Sequence, residues 1–370
     1  MIITFAIITI LYSLLILAFC YHWRDEDSSS PNFTNTDTPL VSVIVAFRNE
    51  EKNLPALVES LLAQSYGKLE IILVNDHSED NSLAVAQSYS DKRIKVINAP
   101  EEVSGKKSAL RLGYENSSGE ILYFTDADCI LKKECIETII TEMVFKKYAM
   151  ACGPVCYSDR KGFFNGIAQL EFLSLTGSGA AGFFMNRPFM CNGANFTVER
   201  KVYAEADLNK KYSSGDDVFL LHYADSKYKV GFVQNEKCIV ETQAPKGLGG
   251  FFSQRVRWAS KAGGYKNPFA IFVSATVFLM ALTLIASFVA GCICPIYFIV
   301  FFCLLFMKNA VDTYFIVYVL HFYRRGKLWW AILPLTLLHP FYVVSVAVAS
   351  LFYRPKWKGR RIKVKKYSPL

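Results

Sequence analysis

The stretch "VSVIVAFRNEEKNLPALVESLLAQSYGKLEIILVND", residues 41–76, decides the fold. It opens on "VSVIVAF" (41–47), a nearly unbroken apolar run. That is the pattern of a strand buried on both faces of a parallel sheet. "NLPALVESLLAQ" (53–64) has apolar residues at helical spacing, with Pro55 in its first turn. "LEIILVND" (69–76) is the next buried strand. Outward from there the alternation continues. "SEDNSLAVAQSYS" (78–90) predicts a helix, "RIKVINA" (93–99) a strand, "KKSALRLGYENS" (106–117) a helix and "EILYFTDAD" (120–128) a strand. This rhythm predicts an α/β fold with a doubly wound, mostly parallel sheet. Such sheets bind ligands beyond the carboxyl ends of their strands. Two of those ends carry acids: Asp76 after one strand, Asp126 and Asp128 after another.

The 370 residues are 52% hydrophobic and 20% charged, with a mean hydropathy of +0.23. That is too apolar for an ordinary soluble enzyme and too charged for a bare membrane bundle, so a water-soluble domain is joined to bilayer segments. Residues 2–20 carry no charge and are long enough to cross ~30 Å of hydrocarbon. No Lys or Arg precedes the run and no A-x-A-like site follows, which favours an anchor over a signal peptide. Tyr21, His22, Trp23 and Arg24 form an interfacial belt that places the N-terminus outside and the next domain in the cytoplasm. Three more apolar segments follow, at about 269–291, 295–320 and 328–352. Lys308 and Asp312, four apart in the middle one, are spaced to pair on one helix face.

The net charge is +9, and eight Lys/Arg with no acid lie between Arg354 and Leu370, which leaves +1 for the rest. The basicity is therefore a tail suited to anionic lipid headgroups and gives no reason to expect nucleic acid as a partner. Three full crossings after a cytoplasmic domain would put this tail outside, against the positive-inside bias. Pro334 and Pro340 offer one resolution, by breaking the last segment into a re-entrant or interfacial hairpin; an interfacial helix at 309–324 offers another. The expected organisation is an anchor (1–23), a polar linker (24–39), a soluble domain (40–267), two to three membrane helices (268–353) and a cytoplasmic tail (354–370). The ten cysteines show no paired C-x-x-C spacing and read as reduced thiols, with neither a zinc site nor a disulfide framework.

Five stretches carry candidate chemistry. In "FTDADC", Asp126 and Asp128 end a strand two apart and could share a hard divalent cation, Mg²⁺ or Mn²⁺, completed by water and phosphate oxygens; the plainer reading is a solvated turn. Asp76 in "LVNDHSEDNS" could accept from a nucleobase N–H or a ribose hydroxyl, or cap the helix that follows. Lys106 and Lys107 in "GKKSAL" could meet a phosphate or a base, or be surface lysines. Asp216 and Asp217 in "SSGDDVFLLHY" suit a helix dipole, or a general base whose pKa is raised by its like-charged neighbour. In "SQRVRWASKAGG" (253–264), Arg255 and Arg257 would share a face of an extended segment and could clamp a diphosphate, with Trp258 stacked on a sugar or lipid. The plainer reading there is a positively charged membrane flank.

Taken together, in order from about Val41 to Trp258, these stretches resemble the family 2 glycosyltransferases, enzymes of GT-A fold that invert the anomeric centre. "VSVIVAFRNEEKNL", "ILVNDHSEDNS", "GKKSAL", "FTDADC" and "CNGANFTVER" (191–200) match successive family segments, and "QRVRW" matches the Q-x-x-R-W motif at Gln254, Arg257 and Trp258. The resemblance implies that Asp76 and Lys106 contact the uridine of a UDP-sugar, and Asp126 and Asp128 its diphosphate or metal. It implies that Asp217 takes the acceptor proton, while Gln254, Arg257 and Trp258 line the acceptor and diphosphate side. Two departures stand out: His77 where members often have glycine or serine, and Asp216 where glutamate is usual. The expected function is transfer of a sugar from a nucleotide-sugar to a membrane lipid, by a multi-pass protein of the inner (cytoplasmic) membrane whose catalytic domain faces the cytoplasm. A processive polysaccharide synthase of the same family, with a glycan acceptor, and an inactive scaffold are the alternatives.

Overall fold

The computed structural model describes residues 1–23, 38–206 and 215–352, and the backbone of 356–357 and 360–361. Most of the expected linker and the side chains of the basic tail lie outside the described residues. In chain order the elements are α1 (Ile2–His22), β1 (Val41–Phe47), α2 (Leu54–Leu62), β2 (Leu69–Asn75), α3 (Ser82–Gln87), β3 (Ile94–Asn98), α4 (Lys106–Glu115), β4 (Ile121–Phe124), α5 (Cys135–Phe145), β5 (Met150–Cys152) and β6 (Val155–Tyr157). There follow α6 (Phe163–Phe184), β7 (Phe196–Glu199), α7 (Arg200–Glu205), α8 (Asp216–Lys227), β8 (Val230–Phe232), β9 (Val240–Thr242), α9 (Gly247–Ala259), α10 (Pro268–Ile293), α11 (Ile296–Phe322) and α12 (Ile332–Leu351).

The chain divides into two compact units, one of Glu26–Ser158, Met190–Gln243 and Arg354–Leu370, the other of Met1–Asp25, Asp159–Phe189 and Ala244–Tyr353. The first is built on a seven-stranded sheet in the order β3-β2-β1-β4-β7-β5-β8. β1 pairs in parallel with β2 on one side and β4 on the other, and every residue of β1 is buried. That is why its sequence shows no alternation: both faces are covered. The order of strands turns back at β1, between β2 and β4, the topological switch point where α/β sheets place their ligands.

β7 is the exception to the parallel rule. It runs antiparallel to both β4 and β5, with Phe196 opposite Phe124 and Cys152. Its amino end therefore meets the carboxyl ends of β4 and β5, and Asn192–Asn195 arrive at the edge where Asp126 and Asp128 emerge. Asn195 locks this junction. It is fully buried, accepts from the Tyr123 hydroxyl at 2.8 Å, and donates to the carbonyls of Pro154 (3.0 Å) and Cys238 (2.8 Å). The β4 strand is shorter than expected, ending at Phe124, so Asp126 and Asp128 sit in a turn closed by Cys129 N–H to the Asp126 carbonyl at 3.1 Å. The expected helix over 78–90 shrinks to α3, because residues 78–81 are bound to the loop after β1.

The second unit gathers α1, α6 and α9–α12. Among the described residues, four helical stretches here are long and apolar enough to cross a membrane: Ile2–His22, Pro268–Ile293, Ile296–Phe322 and Gly326–Leu351, the last being α12 with the 3-10 stretch that leads into it. The proline-broken hairpin and the separate interfacial helix over 309–324 are both overturned. Pro334 lies in the first turn of α12, where its missing N–H has no helical partner to lose, and Pro340 is carried within a continuous helix. Residues 309–322 are one piece with the rest of α11. Lys308 and Asp312 do pair, and the Tyr12 hydroxyl donates to Asp312 at 2.7 Å, which ties α1 to α11. Phe19 packs against Phe189 and Phe315, with ring centroids 6.1 and 6.0 Å away.

Asn195→Ala removes three buried hydrogen bonds and leaves the Tyr123 hydroxyl and the Cys238 carbonyl with only the Cys135 thiol, while the Pro154 carbonyl keeps the Val240 N–H. Each lost bond is worth about 0.5–1.5 kcal/mol. The variant is expected to lose ~3 kcal/mol in stability, read as a lower denaturation midpoint of the purified chain.

Candidate active site

Two loops knit the carboxyl ends of β1 and β2 together. Arg48, 5% exposed just beyond β1, donates through Nη1 to the carbonyls of Asp76 (3.0 Å) and His77 and through Nη2 to Glu79 (2.6 Å). Asn49, Glu50 and Glu51 add backbone bonds to Ser78, Ser82 and Asp80 at 3.1, 2.7 and 3.2 Å. His77 sits at φ 55°, in the left-handed region, which is a physical reason for glycine to be favoured at such a position. Its Nε2 lies 3.0 Å from the Val103 carbonyl.

Asp76 is not the helix cap. The first N–H of α3, that of Ser82, goes to Asp80 at 3.0 Å. Asp76 is instead wholly buried, and its Oδ2 accepts from the Gly105 N–H at 2.9 Å. Its Oδ1 has no hydrogen-bond partner. A buried carboxylate oxygen with no donor is costly to keep, and a ligand N–H or hydroxyl would satisfy it. Gly105, at φ 95°, starts α4 and turns that N–H inward.

The lysine pair is not a surface feature. Lys106 forms an ion pair with Asp126, and Lys107 reaches Asp216 at 3.4 Å. Burial disfavours the Lys106 charge, but its attraction to Asp126 and the hydrogen bond it donates to that carboxylate, then the fields of Asp217 and Asp216, more than offset it, so its pKa stands above the usual lysine value. Asp128 accepts from the Thr242 hydroxyl at 3.3 Å, a contact set up by the bridge between Ile130 and Glu241. Both aspartates of the D-x-D are half-buried, while Ala127 between them is buried. Among the described residues no three His, Cys, Asp or Glu side chains gather around a cation-sized position. Two carboxylates at a strand end fit Mg²⁺ or Mn²⁺ when diphosphate and water supply the other ligands.

Asp217 lies in the first turn of α8. Its Oδ1 accepts from the Val218 N–H at 2.9 Å. Its Oδ2 is 3.2 Å from the point where a Cβ on residue 193 would sit. Gly193 thus keeps the space beside this carboxylate open. One edge of the sheet unit brings together Asp76, Lys106, Asp126, Asp128 and Asp217.

Gln254, Arg257 and Trp258 belong to the other unit, and here the sequence expectation is corrected. They lie on α9, which is helical over Gly247–Ala259 and not extended. Spacings of three and four put Gln254, Arg257 and Trp258 on one face, while a spacing of two separates Arg255 from Arg257. A double-arginine clamp on one extended face therefore does not exist. Arg255 is 3% exposed and turned inward to Glu171 of α6.

Residues 42–206 match the family model described as "Glycosyl transferase family 2". Over these residues the chain is similar to that family. The glycosyltransferase GlyG of Streptococcus pneumoniae is 34% identical over 116 residues, 31% of this chain and 38% of that protein. An uncharacterised glycosyltransferase of Haemophilus influenzae is 38% identical over 117 residues, 31% of this chain and 36% of its own. The chain thus spans little more than a third of the length of the curated relatives it matches. A mannosyltransferase from Pyrobaculum calidifontis, PcManGT, solved with GDP-Man and Mn²⁺, superposes with a TM-score of 0.58 at 18% identity. That likeness of fold covers 94% of this chain and 99% of the other, so it takes in apolar helices as well as the GT-A sheet.

Three residues of consequence were given no role from sequence: Arg48, Gly193 and Glu171. Arg48 carried a signal, a cation directly after a nearly unbroken apolar strand. A branched side chain at Gly193 must push Asp217 aside. Gly193→Val is expected to lower sugar transfer at least tenfold while nucleotide affinity, measured by calorimetry, stays within twofold of the parent.

Proposed function

We propose that this chain is an inverting glycosyltransferase that moves a sugar from a UDP-sugar to a membrane lipid. The observation that carries the reading is the convergence, at the sheet's switch point, of a buried carboxylate with one unsatisfied oxygen, two lysine–aspartate pairs and the Asp217 carboxylate beside Gly193. Asp76 Oδ1 is assigned to a donor group of the nucleobase or ribose. Lys106 is assigned to the nucleotide, exchanging part of its contact with Asp126 for the ligand. Asp126 and Asp128 would hold Mg²⁺ or Mn²⁺, which supplies positive charge beside the diphosphate. Gln254, Arg257 and Trp258 are assigned to the acceptor and the diphosphate by the motif they form.

The chemistry is one displacement. The acceptor hydroxyl oxygen forms a bond to the anomeric carbon as the bond from that carbon to the diphosphate oxygen breaks. The electron pair leaves with the nucleoside diphosphate, and the proton passes to Asp217 Oδ2. Fixed positive groups meet the charge that develops on the leaving group. Attack opposite the leaving group inverts the configuration, so no enzyme nucleophile is required. The membrane-length apolar helices support an acceptor held in the bilayer, and the belt Tyr21, His22, Trp23 and Arg24 supports a catalytic domain on the cytoplasmic side.

The test uses the full chain in nanodiscs with Mn²⁺ and UDP-glucose, UDP-galactose, UDP-N-acetylglucosamine or GDP-mannose, following nucleoside diphosphate release. Lipid mass spectrometry of cells with and without the chain reads the product. Turnover of a UDP-sugar and a missing hexosylated lipid are expected. No turnover of any of the four, together with an unchanged lipid profile, would overturn the reading. Asp217→Asn is expected to lose ~10²–10⁴-fold in transfer, the usual worth of a general base, with UDP affinity retained. Asp128→Ala is expected to lose the Mn²⁺-dependent part of UDP binding.

A further inference from the structure

Within the helical unit, the second residue of "QRVRW" is bound into a buried network that the motif's spacing does not announce. The Arg255 Nε lies 3.0 and 3.1 Å from the two carboxylate oxygens of Glu171, and Nη2 also pairs with that carboxylate. Both residues are almost wholly buried, Arg255 at 3% and Glu171 at 1% exposure. The Tyr342 hydroxyl of α12 donates to the same carboxylate at 2.6 Å. From its other side Arg255 reaches the motif: its Nη1 donates to the Gln254 side-chain oxygen, and its guanidinium lies 4.5 Å from the Trp258 ring centroid. Phe251 flanks the guanidinium at 4.5 Å, and Phe172 packs on Trp258 with centroids 6.1 Å apart.

We infer that Glu171 and Arg255 are positioning residues that fix the orientation of Gln254 and Trp258. The inference rests on the proposed transferase reading. A planar guanidinium held by two oxygens of one carboxylate has one orientation. Its other edge and its face then dictate where the Gln254 amide and the Trp258 indole lie. A lysine would keep the charge but lose the fork. An ion pair used only for cohesion would be replaceable by apolar residues of similar volume, because a buried pair often gives no net stability over such a replacement. A positioning pair would not.

The experiment separates these roles in the full chain. Glu171→Leu/Arg255→Met removes both charges, so neither is left buried alone. Its thermal midpoint is expected within a few degrees of the parent. With the UDP-sugar that the parent turns over best, kcat is expected to fall at least tenfold, with KM for that sugar nucleotide changed less than twofold. Arg255→Lys is expected to lose at least fivefold in kcat despite its charge. A second readout does not depend on activity. In a chain with Trp23, Trp329, Trp330 and Trp357 changed to Phe, Trp258 is the only tryptophan left. Adding Glu171→Leu/Arg255→Met to it is expected to shift Trp258 emission to the red and at least double its acrylamide quenching. Parental kcat in the double variant at parental stability would overturn the inference. So would unchanged Trp258 emission and quenching, and that result holds even where the parent turns over no sugar nucleotide, an outcome that counts against the transferase reading alone.

Discussion

β7 runs against β4 and β5, and the chemistry of the sheet unit depends on that reversal. Parallel strands deliver their carboxyl ends to one edge and their amino ends to the other. A site built only from such a sheet draws on the loops that leave the strands. An inserted antiparallel strand adds the loop that enters it, and this brings Asn192–Asn195 to face the Asp126 turn. Asn195 makes the reversal firm by satisfying groups from β4, β6's approach and the segment before β9 at once. Gly193, two residues earlier, then stands beside Asp217 without filling the space in front of it. Fold and site are therefore one construction: the residue that locks the strand and the residue that opens the site are in the same loop.

The first half of the sheet was legible because its causes are local. A strand covered on both faces must be apolar along most of its length, and β1 and β2 match the expected bounds almost to the residue. The later strands are three or four residues long and were not read at all. Their identity comes from partners distant in sequence, as with β7 between β4 and β5. The acids at strand ends were legible for the same local reason as the strands. Their partners were not: nothing near Lys107 in sequence points to Asp216, more than a hundred residues away, and the lysine pair reads as an ordinary helix start. The Q-x-x-R-W stretch shows the opposite failure. Its spacing is a helical signature, three and then four, yet the two arginines invited an extended reading because they are the more conspicuous pair.

The two lysine–aspartate pairs also explain how so many charges can share one edge. Asp126, Asp216 and Asp217 crowd a small region in which carboxylates would otherwise repel. Lys106 and Lys107 are adjacent at the start of α4, and each answers a different acid. A ligand bearing a diphosphate would compete with the acids for these cations, and a divalent cation would compete with the cations for Asp126. Ligand and metal entering together would exchange each contact for another of the same sign. Charge is then conserved across binding, which is the economical arrangement for a site that must take up and release a highly charged group.

Among the described residues of the helical unit, the buried pairs Lys308–Asp312 and Arg255–Glu171 differ in their spans in sequence, and this gives them different consequences. Lys308 and Asp312 are four apart on one helix, so α11 carries its pair satisfied wherever it goes. Such a pair needs no tertiary structure to form, and Tyr12 then uses its carboxylate as a docking point for α1. Arg255 and Glu171 are 84 residues apart on different helices. Neither charge is satisfied until α6 and α9 are in register, and Tyr342 adds α12 to the same condition. Removing one partner of a buried pair costs about 3–5 kcal/mol, so misregistered packings of these three helices are penalised by about that much. The local pair makes a helix acceptable to the bilayer. The distant pair selects one packing of the helices, and that packing is the one in which Gln254 and Trp258 are held in place.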